Sequence, residues 1–529
     1  MRNNLSYMSD ARNIFAALFC LFAAASCGGG GGGSPSPPPP PPPPAGTPAP
    51  GQVSALATPF AAACGSGAGT LYPNAEVEPY LAVNPVNPSN MVGVWQQDRW
   101  SNGSARGTNT GVTFDGGATW AYRQLPFSVC AGGTFARATD PWVSFGPTGI
   151  AYQMALGSTG GTFGANGQNA MLASRSLDGG LTWSAPATLI LDGGGFFNDK
   201  NTLTADSTDA RFVYAAWDRL AQNGGGPAYF ARSIDSGATW ETARSIFDQG
   251  TCCQTLGGLV VVLPDGTLVY VFTLLFPIPP DNRQGANAMA MRSTDKGLTW
   301  TTPVLIGNLL AVGASDPQSG AAIRDGSILA QAAVGATSIF VVWQDARFTG
   351  GVRDAIALSR SIDGGLTWSA PLRVNGDLSV AAFTPQVHVM ANGTIGLTYF
   401  DLRSNTADAA TLFTDYWLAR STDGVAWTEA RVTAPFDLAT APNAEGLFLG
   451  DYMALASAGT TFLPFYVRTT GDLTNRTDVF LTRVAATPAL KSTLATGAPG
   501  FIADAELERR VAENIGRVMQ RRVPGWKPR

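Results

Sequence analysis

Histidine is nearly absent from this chain, since His388 is the only one among 529 residues. A metal site with several histidine ligands is therefore excluded, and a Ser-His-Asp triad would depend on that single residue. Residues 385–389 have the pattern of a strand, so we interpret His388 as a packed strand residue and not as a catalytic base. No metal and no cofactor is predicted.

Charge is also scarce, because Asp, Glu, Lys and Arg together make up 14% of the chain and the formal net charge is −4. This charge is too weak to indicate nucleic acid as a partner. Glycine, in contrast, occurs 62 times and proline 36 times. Such a composition is typical of many short strands joined by tight turns.

Long apolar runs are lacking as well. The N-terminal run at residues 14–25 follows Arg2 and Arg12 and is too short to cross a bilayer comfortably, which indicates a signal peptide. Residues 24–27 read Ala-Ala-Ser-Cys, similar to a bacterial lipobox, so we favour lipidation of Cys27 over an ordinary signal peptide with an incidental cysteine. Glycines at 28–33 and prolines at 37–44 then predict a flexible segment and a polyproline II rod.

The domain organisation predicted from these features has four parts. A lipoprotein-type signal peptide covers residues 1–27, a disordered tether 28–52, a β domain 53–490 and a C-terminal tail 491–529. The protein is expected to be exported and held at the outer membrane by its lipid, on the periplasmic or the outer side, or to be secreted. In the tail, residues 504–523 have helical spacing of apolar side chains, and we expect a loosely docked or mobile helix without a function.

Six cysteines are present, and four lie in the predicted β domain. In an exported protein these four can form two disulfides. The preferred pairing joins Cys64 to Cys130 and Cys252 to its neighbour Cys253. Free buried thiols are the alternative.

One eight-residue pattern recurs along the chain and is exemplified by Ser-Leu-Asp-Gly-Gly-Leu-Thr-Trp at 176–183. Its aspartates are separated by 57 to 68 residues, and the sixth copy is one residue shorter. Asp and Ser side chains bond nearby backbone N–H groups and Gly accepts positive φ, so each copy predicts a turn between two strands. The six aspartates, to which we assign no catalytic role, are Asp115, Asp178, Asp235, Asp295, Asp363 and Asp423.

Two further strand patterns precede each hairpin, which makes four short strands in a repeat of about 60 residues. This arrangement is typical of the blades of an all-β propeller. Counting the first strand of each repeat favours seven four-stranded blades, with six as the alternative. A strand at residues 53–59 is expected to complete the last blade.

These repeats resemble the sialidase-type β-propellers, also called BNR or Asp-box repeat proteins, over about residues 75–487. Stretches 78–85, 95–100 and 448–452 are similar to secreted bacterial proteins of the exo-α-sialidase type. The resemblance implies three arginines on a substrate carboxylate, a Tyr–Glu nucleophilic pair and an Asp acid/base. The Phe-Arg-Ile-Pro-like motif that usually carries the first arginine is missing here. The catalytic set therefore cannot be transferred residue by residue.

Candidate site residues lie where the first strands of the repeats begin and the second strands end, because these points meet on one face, opposite the repeated turns. Carboxylic acids suit proton transfer to a glycosidic oxygen and guanidinium groups suit a carboxylate. The candidate catalytic residues are Glu78, Asp140, Asp199, Asp325, Asp451 and Tyr452. The candidate substrate-binding residues are Arg99, Arg219, Arg324, Arg347 and Arg403.

Four of these arginines follow an aspartate, in the pairs Asp98–Arg99, Asp218–Arg219, Asp345–Arg347 and Asp401–Arg403. Such pairs can instead be salt bridges that connect neighbouring blades. Two functions therefore stay open for the whole protein. It is a sialidase-like glycoside hydrolase acting on anionic glycans at the cell envelope, or a non-catalytic envelope-anchored propeller that binds glycans or proteins.

Overall fold

The computed structural model describes residues 51–65, 67–222, 224–485, 493–494, 496–498, 501–523 and 526. The predicted signal peptide, Cys27 and nearly all of the tether lie outside the described residues. Within them the chain forms short, mostly antiparallel strands and one α-helix, Ala505–Arg522. The all-β class predicted from the sequence is therefore confirmed. Among the described helices, none has the length and apolar character needed to cross a membrane.

The main strands of the described chain form seven consecutive antiparallel meanders, six of four strands and a seventh of three. Some neighbouring meanders are joined by single bridges into larger sheets. The strands of meanders 1 to 4 are Leu71–Val83, Met91–Trp100, Ala105–Thr113 and Ala121–Arg123; Arg137–Phe145, Ala151–Thr159, Gln168–Ser176 and Ala187–Gly193; Phe196–Ala205, Val213–Ala221, Ala228–Ser233 and Arg244–Phe247; Gln254–Val262, Leu268–Ile278, Arg283–Ser293 and Val304–Asn308. The strands of meanders 5 to 7 are Gln331–Val334, Ile339–Asp345, Ala355–Ser361 and Leu372–Arg373; Ala382–Val389, Ile395–Asp401, Phe413–Ser421 and Ala426–Arg431; Ala454–Ala458, Thr461–Asp472 and Asn475–Leu481.

Shorter elements connect the meanders or cover their edges. In the tail, two short strands pair with the fourth strands of meanders 6 and 5. The short strands are Ile323–Arg324, Phe436–Asp437, Leu447–Phe448, Val484–Ala485, Thr493–Leu494 and Thr496–Gly497, and the 3₁₀ turns are Val129–Ala131, Gly250–Cys252, Ala346–Thr349 and Leu438–Thr440.

Apolar side chains between neighbouring meanders form the core. Second strands contribute fully buried tryptophans, among them Trp95, Trp217 and Trp343. Trp343 of meander 5 lies so close to Gly307 of meander 4 that an added Cβ at Gly307 would stand 3.1 Å from the indole. Truncation of such a ring to alanine typically costs about 3–5 kcal/mol, so this packing fixes the distance between adjacent meanders.

The first strands of the meanders contact one another in series. Each first strand contacts the first strand of the next meander, and that of meander 7 contacts that of meander 1. The N-terminal segment adds a contact at the junction, because Gln52 pairs with Phe480 of meander 7. Pairing stops near Ser54, so the prediction of a strand over 53–59 is wrong in extent. The reason is that side chains of meander 1 hold Thr58 instead. Its hydroxyl donates to Asp98 at 2.8 Å.

The repeated turns follow one hydrogen-bond pattern. In the copy at Asp178, the carboxylate accepts the Thr182 N–H at 2.9 Å and the Ser176 hydroxyl at 2.7 Å, while Ser176 Oγ accepts the Gly180 N–H at 2.8 Å. Each turn connects the third and fourth strands of its meander. The turns therefore lie at the ends of the meanders opposite the starts of the first strands.

The C-terminal helix is firmly docked, which corrects the expectation of a loose or mobile helix. It starts at the N-cap Asp504, whose side chain accepts the Leu507 N–H at 2.8 Å. Its buried apolar side chains pack against meanders 4 and 5, and each such burial contributes about 1.5–3 kcal/mol. These side chains are Leu507, Val511, Ile515 and Met519.

Two disulfides are present in the described chain, Cys64–Cys130 and Cys252–Cys253. The first connects the N-terminal segment to the 3₁₀ turn that follows meander 1. The second lies directly before the first strand of meander 4.

Candidate functional site

Irregular first strands shape the centre of the fold. In meanders 1, 2 and 3 the register shifts at a residue with left-handed backbone, namely Glu78 (φ 52°), Asp140 (φ 48°) and Lys200 (φ 51°). A bulge re-aims the side chain that it carries. Left-handed backbone costs about 1–2 kcal/mol at a non-glycine residue, and strain of this kind is concentrated at functional sites.

The three re-aimed side chains meet. The Lys200 ammonium lies 3.3 Å from Glu78 Oε1, 3.6 Å from Asp140 Oδ1 and 2.6 Å from Asp451 Oδ2. Lys200 is 8% exposed, and Glu78 and Asp140 are less exposed still. One buried cation therefore holds three carboxyl groups together. We call these four residues and Asp199, which directly precedes Lys200, the acid cluster; its members are Glu78, Asp140, Asp199, Lys200 and Asp451.

The members of the acid cluster differ in their affinity for protons. Burial raises the pKa of Asp140 well above its usual range, and the nearby charges of Glu78 and Asp199 raise it further against the effect of Lys200. Burial would also raise the pKa of Asp451, but Arg324 and Lys200 outweigh it and hold that pKa well below its usual range. The environment of Asp140 therefore favours the protonated form, whereas the environment of Asp451 favours the ionised form.

Arginines border the acid cluster. Arg324 binds Asp451 with Nη2 at 2.8 Å from Oδ2 and Nε at 3.2 Å from Oδ1. The guanidinium carbons of Arg324 and Arg99 lie 4.2 and 4.9 Å from the centroid of the Phe448 ring. Arg99 donates to Gln96 at 2.7 Å, but its buried Nε has no partner in the described residues. Burial and the charge of Arg324 lower the pKa of Arg99 to about 10. Among the described residues no carboxylate forms a salt bridge with Arg99, which is therefore a buried cation without a counter-ion in contact.

The C-terminal helix supplies two more arginines. Arg522 donates from Nε to Asp199 Oδ2 at 2.7 Å and from Nη2 to Asp218. Burial opposes the ionisation of Asp199, but Arg522 and Lys200 outweigh burial and lower the pKa of Asp199. Arg521 stands beside it, and burial and Arg324 lower the pKa of Arg521.

All of these charged groups except Asp451 and Asp218 line one cavity of about 530 Å³, a volume that suits a sugar-sized ligand. Its wall includes Glu78, Asp140, Asp199 and Lys200 together with Arg99, Arg137, Arg324, Arg521 and Arg522. Within the described chain, no group of three or more His, Cys, Asp or Glu side chains could hold a metal ion. The cavity thus combines a carboxyl whose environment favours the protonated form with a strongly cationic wall, an arrangement that suits an anionic ligand and a proton donor.

Four of the six candidate catalytic residues belong to the acid cluster, and the other two do not line the cavity. Asp325 is buried and accepts the Ala314 N–H at 2.8 Å and the Gln344 amide at 3.0 Å. Tyr452 is buried, and its hydroxyl donates to the Pro141 carbonyl at 3.4 Å. Both side chains are therefore placed as structural groups, because their polar atoms already satisfy the backbone or a neighbour.

Three candidate substrate-binding arginines also lie away from the cavity. Arg219 binds Asp192 of meander 2 at 2.7 and 2.8 Å and so bridges two meanders. Arg347 binds Asp345 in its own meander at 2.8 Å, and Arg403 binds Asp401 and, at 2.9 Å, Glu429. Carboxylates hold all three, so the structure does not bring them together with Arg99 and Arg324.

The arginines of the helix were missed by the sequence analysis. The signal was a basic pair in the last turn of an amphipathic helix, where positive charge favours the helix dipole. A pair in that position is also typical of a solvated helix end. Only the docking of the helix shows that Arg522 is buried among acids.

No protein-family model matches the chain, and no curated protein matches it. Among solved structures, Hadza microbial sialidase Hz136 is 17% identical over 74% of this chain and 76% of its own, with a TM-score of 0.42. An α-L-arabinofuranosidase from Fusarium graminearum is 12% identical over 63% of this chain and 91% of its own, also with a TM-score of 0.42. A sialidase from Trypanosoma rangeli is 14% identical over 69% and 55%, with a TM-score of 0.37. These likenesses assign neither a family nor an activity to this chain.

Proposed function

We propose that the seven meanders are the blades of a closed seven-bladed β-propeller with Asp-box turns on one face. The unbroken series of contacts between first strands, from meander 7 back to meander 1, supports the closed ring. The bridge between Gln52 and Phe480 supports the same reading, because it covers the edge of the only three-stranded meander in the described chain.

We further propose that the protein is a glycoside hydrolase that acts on an anionic glycan in the central cavity. The observation that carries this proposal is the presence, in one cavity, of a buried carboxyl, Asp140, whose environment favours the protonated form and of a buried arginine, Arg99, whose Nε has no partner among the described residues. Arg99 and Arg324 would bind a sugar carboxylate, since guanidinium matches carboxylate geometry. Asp140 would donate its proton to the glycosidic oxygen as the bond to the leaving group breaks, while a water adds to the anomeric carbon and gives its proton to an ionised carboxylate of the acid cluster.

Lys200 has a supporting part in this reaction. Its ammonium lies between Asp140 and two other acids and keeps their negative charge compatible with burial. Once Asp140 has given up its proton, Lys200 stabilises the new carboxylate. The developing positive charge on the sugar ring is stabilised by the ionised members of the acid cluster.

A second function, binding without hydrolysis, is favoured by one feature of the same cluster. Glu78 and Asp140 contact the same buried ammonium, at 3.3 and 3.6 Å, and so share one cation instead of facing each other across an open space. The carboxyl pairs of most glycosidases stand about 5–9.5 Å apart across the scissile bond. Tyr452 offers no alternative nucleophile, because its hydroxyl is buried against Pro141.

Fluorogenic sialosides and glucuronides, with a neutral galactoside as control, separate the two functions. We expect release of the fluorophore from the acidic sugars only, and a rate lowered by about 10²–10⁴ in Asp140→Asn because the general acid is lost. The matched variant Asp178→Asn changes a turn and should leave the rate unchanged. Binding of acidic sugars without any hydrolysis would reject the hydrolase and establish the binding protein.

We also propose that Cys27 is lipidated and holds the protein at the outer membrane, on the strength of the lipobox-like residues 24–27 and the Gly/Pro tether alone. Cys27→Ser should move the protein from the membrane fraction to the soluble fraction, because one lost anchor removes most membrane affinity. Unchanged fractionation would reject the anchor.

A further inference from the structure

The end of the C-terminal helix lies inside the acid cluster. Arg522 is 8% exposed and bridges two carboxylates of meander 3, Asp199 and Asp218. Its Nη1 has no hydrogen-bond partner among the described residues. A tail residue is therefore part of the charged wall that the seven meanders otherwise build.

This position of Arg522 is fixed by the whole helix. Asn514 is buried and donates to the Ala311 carbonyl at 3.1 Å and to Ser327 Oγ at 2.9 Å. Arg517 donates to the Val312 carbonyl at 3.0 Å. Together with the four buried apolar side chains of the helix, these contacts make it a built-in part of the cavity and not a detachable plug.

Within the acid cluster, the carboxyl groups differ in the cations that they contact. Asp451 contacts Lys200 at 2.6 Å and Arg324 at 2.8 Å, and Asp199 contacts Arg522 at 2.7 Å. Asp140 has only Lys200, at 3.6 Å, the longest of the three contacts of that ammonium. The carboxyl that is least neutralised is therefore the one best suited to carry a proton.

We propose that Arg522 is a positioning residue of the cavity, which keeps Asp199 ionised so that the proton of the acid cluster resides on Asp140. The helix then sets the protonation state of the cavity without contacting the scissile bond. The inference rests on the proposed function only for its effect on hydrolysis. Its effect on the carboxyl groups is independent of any substrate.

Without the Arg522 guanidinium, Asp199 and Asp218 would be buried and would lose the cation that contacts both of them. The nearby Lys200 already contacts three other carboxyl groups. Burial then favours the neutral acid, so Asp199 should take up a proton near neutral pH. The loss of a negative neighbour lowers the proton affinity of Asp140 in turn. The charged and titratable groups that surround these carboxyls are Glu78, Arg99, Asp218, Lys200, Arg324, Asp451, Tyr452, Arg521 and Arg522.

Infrared spectroscopy of the full chain at pH 7 tests this directly, because it detects protonated carboxyl groups. A protonated band that disappears in Asp140→Asn should be present in the wild-type protein. In Arg522→Gln and Arg522→Met we expect an additional protonated band that disappears when Asp199→Asn is added. A second additional band should disappear with Asp218→Asn, because burial raises the pKa of Asp218 to about 6 even beside Arg522. Arg522→Lys keeps a cation beside Asp199 and should lack the Asp199 band.

Arg517→Gln is the matched control, because Arg517 anchors the same helix but does not line the cavity, and it should show no Asp199 band. Absence of the band from both neutral variants overturns the proposal. Loss of helix docking in both variants, measured as protease cleavage that Arg517→Gln does not show, also overturns it and makes Arg522 a docking residue.

Hydrolysis gives a second readout. The alkaline limb of kcat/KM for a fluorogenic sialoside should move to lower pH by about one unit in Arg522→Gln, since an ionised neighbour commonly shifts a pKa by that amount or more. An unmoved limb in an active enzyme counts against the positioning role. If the wild type is inactive on every sugar tested, the hydrolase proposal fails while the infrared result still decides on Arg522.

Discussion

The repeated turns and the central cavity are both rich in aspartate, and they hold it in opposite ways. In the turns the carboxylates are exposed and accept hydrogen bonds from residues within four positions in the sequence. Hydrogen bonds from Thr239, for example, lower the pKa of Asp235 to about 2. In the cavity the carboxyl groups are buried, and their partners come from other meanders and from the helix.

This difference separates a local device from a tertiary one. Each turn is complete within eight residues, so its aspartate is ionised whatever surrounds the meander. Burial raises the pKa of Asp140 and would raise that of Asp451, and the two shift in opposite directions because Arg324 and Lys200 outweigh burial at Asp451. Three experiments can break or sharpen the comparison.

The largest effect is expected from Lys200→Met. It leaves three buried carboxyl groups without their shared cation, and uncompensated buried charge typically costs about 3–5 kcal/mol. The comparison variant is Lys296→Met beside the turn at Asp295. Lys296 is partly exposed and binds Asp206, which also accepts the Tyr214 hydroxyl at 2.7 Å.

For Lys296→Met we expect a smaller loss of about 1–3 kcal/mol, because the buried Asp206 loses its cation but still accepts the hydroxyls of Thr208 and Tyr214. Both losses are measured as free energies of unfolding in urea at pH 7. Equal losses in the two variants would contradict the distinction between the cavity and the turns.

A smaller effect is expected at His388, a packed group with no charged partner. Burial lowers the pKa of His388 to about 4. Because this value lies below that of the unfolded chain, about 6.5, the unfolded state binds the proton first, and stability is lost as the pH falls from 6.5 towards 4. Because the His388 ring is partly exposed, solvent screening limits this loss of stability to about 2–3 kcal/mol.

His388→Gln should remove that part of the acid sensitivity. Glutamine can still reach Ser457, whose Oγ lies 2.8 Å from His388 Nε2. The measurement is the difference in unfolding free energy between pH 7 and pH 4.5 for both proteins. An identical difference would show that His388 is not the buried, neutral group described here.

The smallest effects are expected in the turns. Asp363→Ala removes acceptors for the Thr367 N–H at 2.9 Å and the Ser361 hydroxyl at 2.8 Å, and should cost about 1–2 kcal/mol. Asp423→Ala lies in the shorter turn, where the donors described for the carboxylate do not include a threonine hydroxyl. This change should cost about 1 kcal/mol or less. Thermal unfolding ranks the two variants. The reverse order, or a change in any cavity property, would contradict a purely local role.

Much of the acid cluster could be predicted from the sequence, because the first strand of each repeat begins at a recognisable place. Glu78, Asp140, Asp199 and Asp451 were placed on one face by that argument. The same argument also selected Asp325, which bonds its own surroundings, and Arg219, which bridges two meanders. Repetition predicts where a residue lies along a strand, but it does not predict which partner its side chain reaches.

By itself the sequence determined the all-β class and the six repeated turns, because strand periodicity and side-chain bonds within eight residues suffice for these. Only the tertiary structure decided that Lys200 lies between the carboxyl groups, that burial favours the protonated form of Asp140 and that Arg522 enters from the tail. The physical reason is that these properties depend on burial and on charges far apart in the chain. Asp451 donates its backbone N–H to Glu78 across 373 residues of sequence, and no local pattern records such a contact.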